Sequence, residues 1–230
     1  MEVPTLSILS LLNVMKKFLR FIFTLILIVG VFLCSAFFFW YKPTFKYPKQ
    51  GAYFTTIIRH SNEFEKLHSK AFSLKEFAKV RNYNIEVCFL IDMSIASGKS
   101  RFFAYNLIKD SILWQGLVAH GSCGGGFQTN PIFSNKVNSG CTAFGRYKIG
   151  NPYPGRFGLA YKLYGLDSSN KNSFERNIVL HSYDCVPELE TDPIPICNSR
   201  GCPMVSPGFL SQLKPIINQS ERPILLWIFE

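Results

Sequence analysis

Acidic residues and histidine are scarce in this sequence. Its 230 residues contain 15 Asp and Glu against 25 Lys and Arg, with 4 His, and the formal net charge at pH 7 is +10. A strongly positive chain favours an anionic target, such as an acidic cell-surface polymer or anionic lipid headgroups. No basic run alternates with aromatic residues, so nucleic acid is the least favoured of these targets.

Internal repeats and paired C-x-x-C clusters are also missing. Without a repeat, 230 residues are best interpreted as one core-forming domain with appendages. Without paired C-x-x-C clusters, a structural zinc site has little support. A zinc-stabilised module stays an alternative because four residues have roughly ligand-like spacings: His181, Cys185, Cys197 and Cys202.

A long uncharged segment lies near the N-terminus. Phe21 to Tyr41 is rich in Phe, Leu, Ile and Val, and roughly 20 apolar residues span a bilayer as a helix. Lys16, Lys17 and Arg20 precede it, so we expect residues 1–20 to form a short cytoplasmic segment and the rest of the chain to face outward. Residues 21–41 are therefore predicted to be an uncleaved membrane anchor.

Three alternatives concern the same segment. Small residues at Cys34 and Ala36 fit an export-signal cleavage site, and cleavage after Ala36 would release the chain from the membrane. Met15 precedes two lysines and an apolar run, as at the start of an export signal, and is an alternative first residue. Lipid attachment at Cys34 is the least favoured, because Leu33 before it is bulky.

The rest of the chain divides into a linker, a helical region and a larger domain. Residues 42–60 contain aromatic residues and prolines and are predicted to be a linker. Residues 61–82 have a helical pattern, and the sequence from Ser73 to Glu76 fits a capping box that predicts a second short helix. Candidate core contacts of this region are Phe64, Leu67, Phe72 and Phe77.

Residues 83–230 are predicted to form a mainly β domain with peripheral helices. The first three strands form a predicted β-meander, and residues 120–165 are rich in Gly, Pro, Ser and Asn and are predicted to be mostly loops. Ser206 and Pro207 predict the start of a helix that runs to about Ile217. Strands are predicted over 86–91, 101–108, 112–119, 159–163, 177–180 and 224–229.

Seven cysteines are many for a cytosolic protein and ordinary for an exported one. Cys34 lies in the apolar segment, and Cys88 lies in an apolar strand where we expect an inert buried thiol. Four other cysteines lie in predicted loops and could form two disulfides. The hypothesised pairs are Cys123 with Cys141, and Cys185 with Cys197.

The seventh cysteine, Cys202, lies between Gly201 and Pro203. A glycine there lets backbone N–H groups approach a developing oxyanion, and we predict the N–H groups of Gly201 and Cys202 as its donors. Proline fixes its own φ and can hold the turn that carries the thiol. This context predicts that Cys202 is a catalytic nucleophile rather than a buried thiol.

A thiol nucleophile needs a partner imidazole, and we predict His181 as the base or as the imidazolium partner of a thiolate. His120, which opens a Gly-rich loop, is the rival base and is predicted to be structural or substrate-contacting. His60 and His68 lie in or beside the helical region, where we expect them to be solvated.

Three further residues surround this pair in the sequence. Ser199 is a candidate to orient His181 or the nucleophile loop. Arg200 is a candidate to hold a substrate carboxylate through two parallel hydrogen bonds. Tyr183 is a candidate to line the substrate pocket.

Ordered blocks from about Ile85 to Phe229 form a recognisable pattern. The blocks are 118–121, 133–135, 139–145, 147–167, 176–182 and 199–203. With them the sequence resembles the murein L,D-transpeptidase catalytic-domain family, in the branch whose nucleophile motif reads S-x-G-C-P. The better-known branch has His at the place of Arg200, Arg at the place of Met204 and Gly at the place of Ser182, and these departures concern substrate contacts more than the nucleophile.

The resemblance implies a mostly β, sandwich-like fold and acyl transfer on peptidoglycan stem peptides, without metal or cofactor. Cys202 would form a thioester with the third stem residue and pass the acyl group to an amine. Water as the acceptor would make the chain an L,D-carboxypeptidase. The implied location is the cell envelope, with the domain anchored and facing the periplasm or exterior, or secreted after signal cleavage.

Two other classes of protein are less favoured. A wall-binding module without activity is the non-enzyme alternative, and the intact Cys202 and His181 argue against it. A papain-type cysteine peptidase is disfavoured because His181 precedes Cys202 in the chain.

Overall fold

The computed structural model describes residues 8–39 and 61–230, with side chains from 15 and from 64 onward. The chain divides into two units, Met1–Pro48 and Lys49–Glu230. The predicted linker, residues 42–60, and His60 lie outside the described residues.

The first unit contains one long apolar helix, α1, over Ile8–Ser35. Within it and the following turn, Met15–Phe39 has a mean hydropathy of 2.8, and none of the most apolar part is buried. This segment is long and apolar enough to cross a membrane, and an export signal has the same properties. It starts earlier than the predicted anchor, and residues 40–41 of that anchor lie outside the described residues.

The second unit is built on one mixed sheet. Its strands are β1 Val87–Asp92, β2 Phe102–Asn106, β3 Ser111–Gly116, β4 Val118–Ala119, β5 Gly145–Gly155, β6 Gly158–Gly165, β7 Val179–Ser182, β8 Met204–Val205 and β9 Leu225–Phe229. They are hydrogen-bonded in the order β3-β2-β1-β9-β5-β6-β7-β8-β4. The first three strands pair antiparallel, so the predicted β-meander is confirmed.

Two helices flank this sheet, α2 over Ser61–Arg81 and α3 over Pro207–Asn218. The Ser206 hydroxyl caps α3 by accepting from Phe209 N at 3.2 Å, and Pro207 occupies the first turn, so the predicted helix start is confirmed. A 3-10 turn over Lys171–Ser173 precedes β7.

Alternation along the strands separates two hydrophobic clusters. In β1, Phe89 and Ile91 join an inner cluster with α3, whereas Cys88 and Leu90 face α2. The inner cluster also contains Phe102 of β2 and Val205 of β8, which lie near opposite ends of the strand order. The sheet therefore closes around a shared core, and the predicted mainly β, sandwich-like architecture with peripheral helices is confirmed.

The helical region differs from its prediction in two ways. A single continuous helix spans Ser61–Arg81, so the second helix predicted from the capping box is wrong, because the chain continues the helical turn through that site. The predicted core contacts Phe64 and Phe72 are wrong too, since they are 40% and 60% exposed. Small residues and leucine face the sheet instead: Leu67, Ala71, Leu74 and Ala78.

The longest strand was not predicted. β5 contains Pro152 and Pro154, and prolines this close together are typical of a loop. In the structure they pair with Tyr161 and Leu159 of β6. A register irregularity between Ile149 and Pro152 accommodates the prolines.

Candidate active site

The predicted nucleophile and base lie at neighbouring strands of the sheet. β7 and β8 are parallel neighbours, and their register pairs His181 with Met204. Cys202 precedes Met204 by two residues and lies in the turn that enters β8. An isolated bridge between Ser199 and Gly121 ties the same segment to the residues that follow β4, the edge strand next to β8.

Glycine at 201 is required by the backbone and by the packing of the nucleophile turn. Its φ is +106°, in the region that L side chains rarely adopt. A Cβ at this position would lie 2.5 Å from the carbonyl oxygen of Cys141. The turn that carries Cys202 therefore packs directly against the loop that contains Cys141.

Ser199 holds this turn through its hydroxyl. The oxygen accepts a hydrogen bond from Gly201 N at 3.1 Å and donates to the carbonyl of Cys202 at 2.7 Å. The contacts place Ser199 in the nucleophile loop and not against the His181 ring. They also mean that Gly201 N–H, predicted as an oxyanion donor, is not free in this structure, whereas no hydrogen bond engages the Cys202 N–H within residues 61–230.

The thiol of Cys202 lies half-buried at the edge of the inner cluster. Its Sγ donates to the carbonyl oxygen of Asn177 at 3.8 Å. Burial raises the pKa of the Cys202 thiol, and a backbone hydrogen bond from Val179 together with the charges of Arg176 and Lys162 opposes that rise. Across the described residues, the thiol makes no hydrogen bond to the ring of His181.

His181 is buried and its tautomer is fixed by its own strand. Its Nδ1 lies 3.0 Å from the carbonyl oxygen of Ser182, which can only accept, so Nδ1 carries the hydrogen. Burial lowers the pKa of His181, which keeps the ring neutral near pH 7. The neutral ring with hydrogen on Nδ1 leaves a lone pair on Nε2, as a general base requires.

Phe157 covers this imidazole and was not predicted. It lies in the turn between β5 and β6, and its ring stacks on that of His181 with centroids 5.5 Å apart and planes at 19°. Tyr183 contacts the edge of Phe157 at 5.1 Å and is 45% exposed, which suits its predicted place beside a pocket. No sequence signal pointed to Phe157, because its hairpin was interpreted as loop.

Two cations beside the thiol were also missed. Arg176 donates to the carbonyls of Ser134, at 2.9 Å, and of Cys141, and its charge acts on Cys202. Lys162 donates to Asn177 Oδ1 at 2.8 Å. Arg176 belongs to one of the family blocks, but no sequence pattern indicated that its charge would act on the thiol.

His120 is fully buried and lies in a polar network behind the nucleophile loop. Arg101, also fully buried, donates to His120 Nδ1 at 2.9 Å, and the carbonyl of His120 accepts from Ser199 N at 2.8 Å. Burial and the charge of Arg101 lower the pKa of His120 to about 4. Of the two roles predicted for His120, structural or substrate-contacting, its complete burial favours the structural one.

The remaining predicted residues are at the surface. Arg200 is exposed next to the nucleophile turn, where a substrate could reach it. His68 is partly exposed and pairs with Asp110, with 2.8 Å between Nδ1 and the carboxylate.

The cysteines behave as predicted outside the site. Disulfides join Cys123 to Cys141 and Cys185 to Cys197, so both hypothesised pairs are confirmed. Cys88 is a buried free thiol whose pKa is raised by burial, in agreement with the prediction of an inert residue. The second disulfide joins two of the four supposed zinc ligands, so this set of residues cannot bind zinc while that bond is intact.

Comparison with known proteins identifies the family. The model of the L,D-transpeptidase catalytic domain matches residues 59–229. The chain belongs to this family. The resemblance inferred from the S-x-G-C-P motif and its accompanying blocks is thereby confirmed, and so is the fold it implied. No curated protein matches the sequence.

Solved structures similar to this L,D-transpeptidase-family chain share little sequence with it. The helical cell shape determining protein Pgp2 of Campylobacter jejuni is 14% identical with a TM-score of 0.40, covering 63% of this chain and 47% of that one. An L,D-transpeptidase of Mycobacterium smegmatis is 10% identical with a TM-score of 0.37, covering 63% and 59%. One from Xylanimonas cellulosilytica is 11% identical with a TM-score of 0.38, covering 67% and 68%. The chain spans about half the length of the first of these.

Proposed function

We propose that this protein is a cysteine-dependent acyltransferase that acts on peptidoglycan stem peptides through a thioester on Cys202. Membership of the L,D-transpeptidase family supports an enzyme that acts on peptidoglycan. The observation that carries the assignment of residues is the fixed tautomer of His181, on the strand next to the turn that holds Cys202.

The proposed reaction begins with a proton transfer. The Cys202 thiol gives its proton to Nε2 of His181, and Sγ attacks the carbonyl carbon at the L-centre of the third stem residue. The carbonyl electrons move to oxygen. The N–H of Cys202, which has no hydrogen-bond partner within residues 61–230, is the candidate donor to that oxyanion. As the oxyanion collapses, the C–N bond breaks and the departing amine takes the proton from His181.

The second half of the reaction returns the enzyme to its starting state. An acceptor amine attacks the thioester while His181 Nε2 takes its proton, and the C–S bond breaks. The proton then returns to Cys202 as the thiol re-forms. A second stem peptide as the acceptor gives a cross-link, and water as the acceptor gives L,D-carboxypeptidase activity.

The proposed location is the cell envelope, with the catalytic domain outside the cytoplasmic membrane. The apolar segment Met15–Phe39 fits a membrane anchor or an export signal. The two disulfides support an oxidising compartment, because such bonds are rare in the cytosol.

The test uses the full chain in detergent with a disaccharide-tetrapeptide and analyses the products by mass. Cross-linked dimer supports transpeptidation, and tripeptide supports the carboxypeptidase alternative. We expect Cys202→Ala to abolish both products, and a carbapenem to add covalently to the wild-type protein at Cys202. Turnover that survives in Cys202→Ala would overturn the proposal.

A further inference from the structure

A strip of four side chains lies on the sheet face that carries His181. We call Lys148, Lys162, Tyr164 and Phe174 the cationic strip. Tyr161 and Leu163 of β6 point into the inner cluster, so the alternate residues Ala160, Lys162 and Tyr164 face the other way. Ala160 pairs with His181 across β6 and β7, and this register places the strip and the base on one face.

Stacking contacts hold the two ammonium groups of the strip in place. Lys148 Nζ lies 4.7 Å from the ring centroid of Tyr164, and Lys162 Nζ lies 4.9 Å from that of Phe174. The rings of Tyr164 and Phe174 stack with centroids 5.7 Å apart and planes at 18°. Such contacts orient a lysine without neutralising its charge.

Neither lysine is neutralised by an acid in the part of the chain that the structure describes. Lys162 donates to an amide oxygen, Asn177 Oδ1, and neither lysine takes part in a salt bridge among those residues. Glu175, beside Phe174 in sequence, is exposed and makes no such pair either. Two oriented positive charges with only neutral partners are suited to an anionic ligand.

The strip leads directly to the proposed nucleophile. Asn177 accepts from Lys162 through its side chain and from the Cys202 thiol through its carbonyl, so one residue bridges the two groups. Along β6, Lys162 and Tyr164 lie roughly 7 and 13 Å from Ala160, since a strand rises about 3.3 Å per residue. This is the spacing over which an extended peptide of a few residues would present its carboxylates.

We propose that the cationic strip binds carboxylates of the stem peptide that donates the acyl group. The protein therefore selects stems with free carboxylates over stems whose carboxyl groups are amidated. This inference rests on the proposed function for the identity of the ligand as a stem peptide.

The test compares two synthetic tetrapeptide stems that differ only in free or amidated side carboxyl groups. Binding is measured by calorimetry to full-length Cys202→Ala, so the result does not depend on turnover. We expect the free acid to bind about tenfold more tightly, the size of one charge-assisted hydrogen bond. Lys148→Glu should abolish this preference, and Lys162→Gln should reduce it. Lys214→Glu, the same charge change at an exposed site of α3, should preserve it.

The outcomes separate this inference from the proposed function. Preferential binding of the free acid that is lost in Lys148→Glu supports the cationic strip as a binding site. If the wild type also turns over neither peptide, that second result counts only against the proposed acyl transfer. Equal binding of the two peptides overturns the inference even if the wild type forms cross-links. Equal binding that weakens in Phe174→Ala would also overturn it, in favour of stacking with a sugar ring.

Discussion

The thiol of Cys202 donates to the carbonyl oxygen of Asn177, with 3.8 Å between the two atoms. Burial raises the pKa of this thiol despite a backbone hydrogen bond from Val179 to the sulfur, so the thiol is protonated near pH 7. His181 is neutral as well, because burial lowers its pKa and its Nδ1 hydrogen is directed to Ser182. Of the two roles predicted for His181, a general base fits this resting state better than the imidazolium partner of a thiolate.

The first prediction concerns the alkylation of Cys202 by iodoacetamide. Because burial raises the thiol pKa, we expect the rate to rise continuously from pH 6 to pH 9. The rate is measured from the intact mass of the protein, and Cys202→Ala gives the background from Cys34 and Cys88. A rate plateau already reached near pH 6 would show a preformed thiolate and contradict the neutral pair.

The second prediction concerns Phe157, which shields the His181 ring. In Phe157→Ala the imidazole becomes more hydrated, so its lowered pKa should rise towards the ordinary value of 6.5. The base must be unprotonated, and the acid limb of the kcat profile should therefore move to higher pH. A base with a pKa of 6.5 is about one quarter unprotonated at pH 6, so the rate there should fall by up to about fourfold.

Phe157→Tyr is the matched control, because it keeps the stacked ring. Its acid limb should coincide with that of the wild type. An equal loss of kcat at every pH in Phe157→Ala would instead assign Phe157 to substrate packing, without influence on the base.

Local patterns were enough to predict much of this fold. Alternation predicted the meander β1 to β3, and the sequence Ser206-Pro207 predicted the start of α3. The disulfide pairs could be inferred because each joins two loops over a short separation, 18 and 12 residues. The strand β5 could not, because its prolines and glycines are those of a turn and only its pairing with β6 and β9 makes it a strand.

The surroundings of the site needed the tertiary structure. Cys202 and Asn177 are 25 residues apart, and Phe157 meets His181 through the tip of a hairpin. Nothing periodic in the sequence relates such positions. The motif around Cys202 indicated which atoms react, whereas the groups that set their pKa values come from distant segments.

The third prediction concerns Gly201→Ala. The positive φ disfavours alanine by about 1 kcal/mol, and the new Cβ would lie 2.5 Å from the Cys141 carbonyl, so the turn must shift. We expect at least about a tenfold loss of activity, since misplacement of a nucleophile by 1 Å is costly. Gly158→Ala is strained in φ but meets no atom within 4 Å among the described residues. At pH 8, where displacement of the neighbouring Phe157 leaves the base unprotonated, it should lower stability with little change in rate. Equal effects of the two substitutions on rate would contradict the packing argument.

The fourth prediction compares the two disulfides. Cys123→Ser with Cys141→Ser should slow the alkylation of Cys202, because the Cys141 carbonyl positions Arg176, whose charge lowers the thiol pKa. Cys185→Ser with Cys197→Ser should not slow it. Each loss is expected to destabilise the fold by about 2–4 kcal/mol, so thermal unfolding should respond similarly in both. An alkylation rate unchanged by the first pair would show that Arg176 is held without the disulfide.

The fifth prediction is a loss of stability in mild acid. His120 has a pKa of about 4 in the folded protein against 6.5 for an ordinary histidine. Between these two pH values the imidazole is protonated in the unfolded chain and neutral in the native chain. Its stabilising contribution is complete above pH 6.5 and should fall by about 3 kcal/mol as the pH drops to 4. His181, whose pKa is also lowered, adds a loss of the same sign.

Denaturant unfolding of the full chain at pH 7, 6 and 5 measures this dependence. His181→Gln should remove part of the slope and His120→Gln the larger part, at the cost of a lower stability at pH 7 because Arg101 loses its partner. If His120→Gln does not fold, the wild-type slope between pH 7 and pH 5 still decides. A free energy of unfolding that is constant over this range would contradict the prediction. It would mean that His120 is protonated inside the folded protein and that the pairing with Arg101 does not keep it neutral.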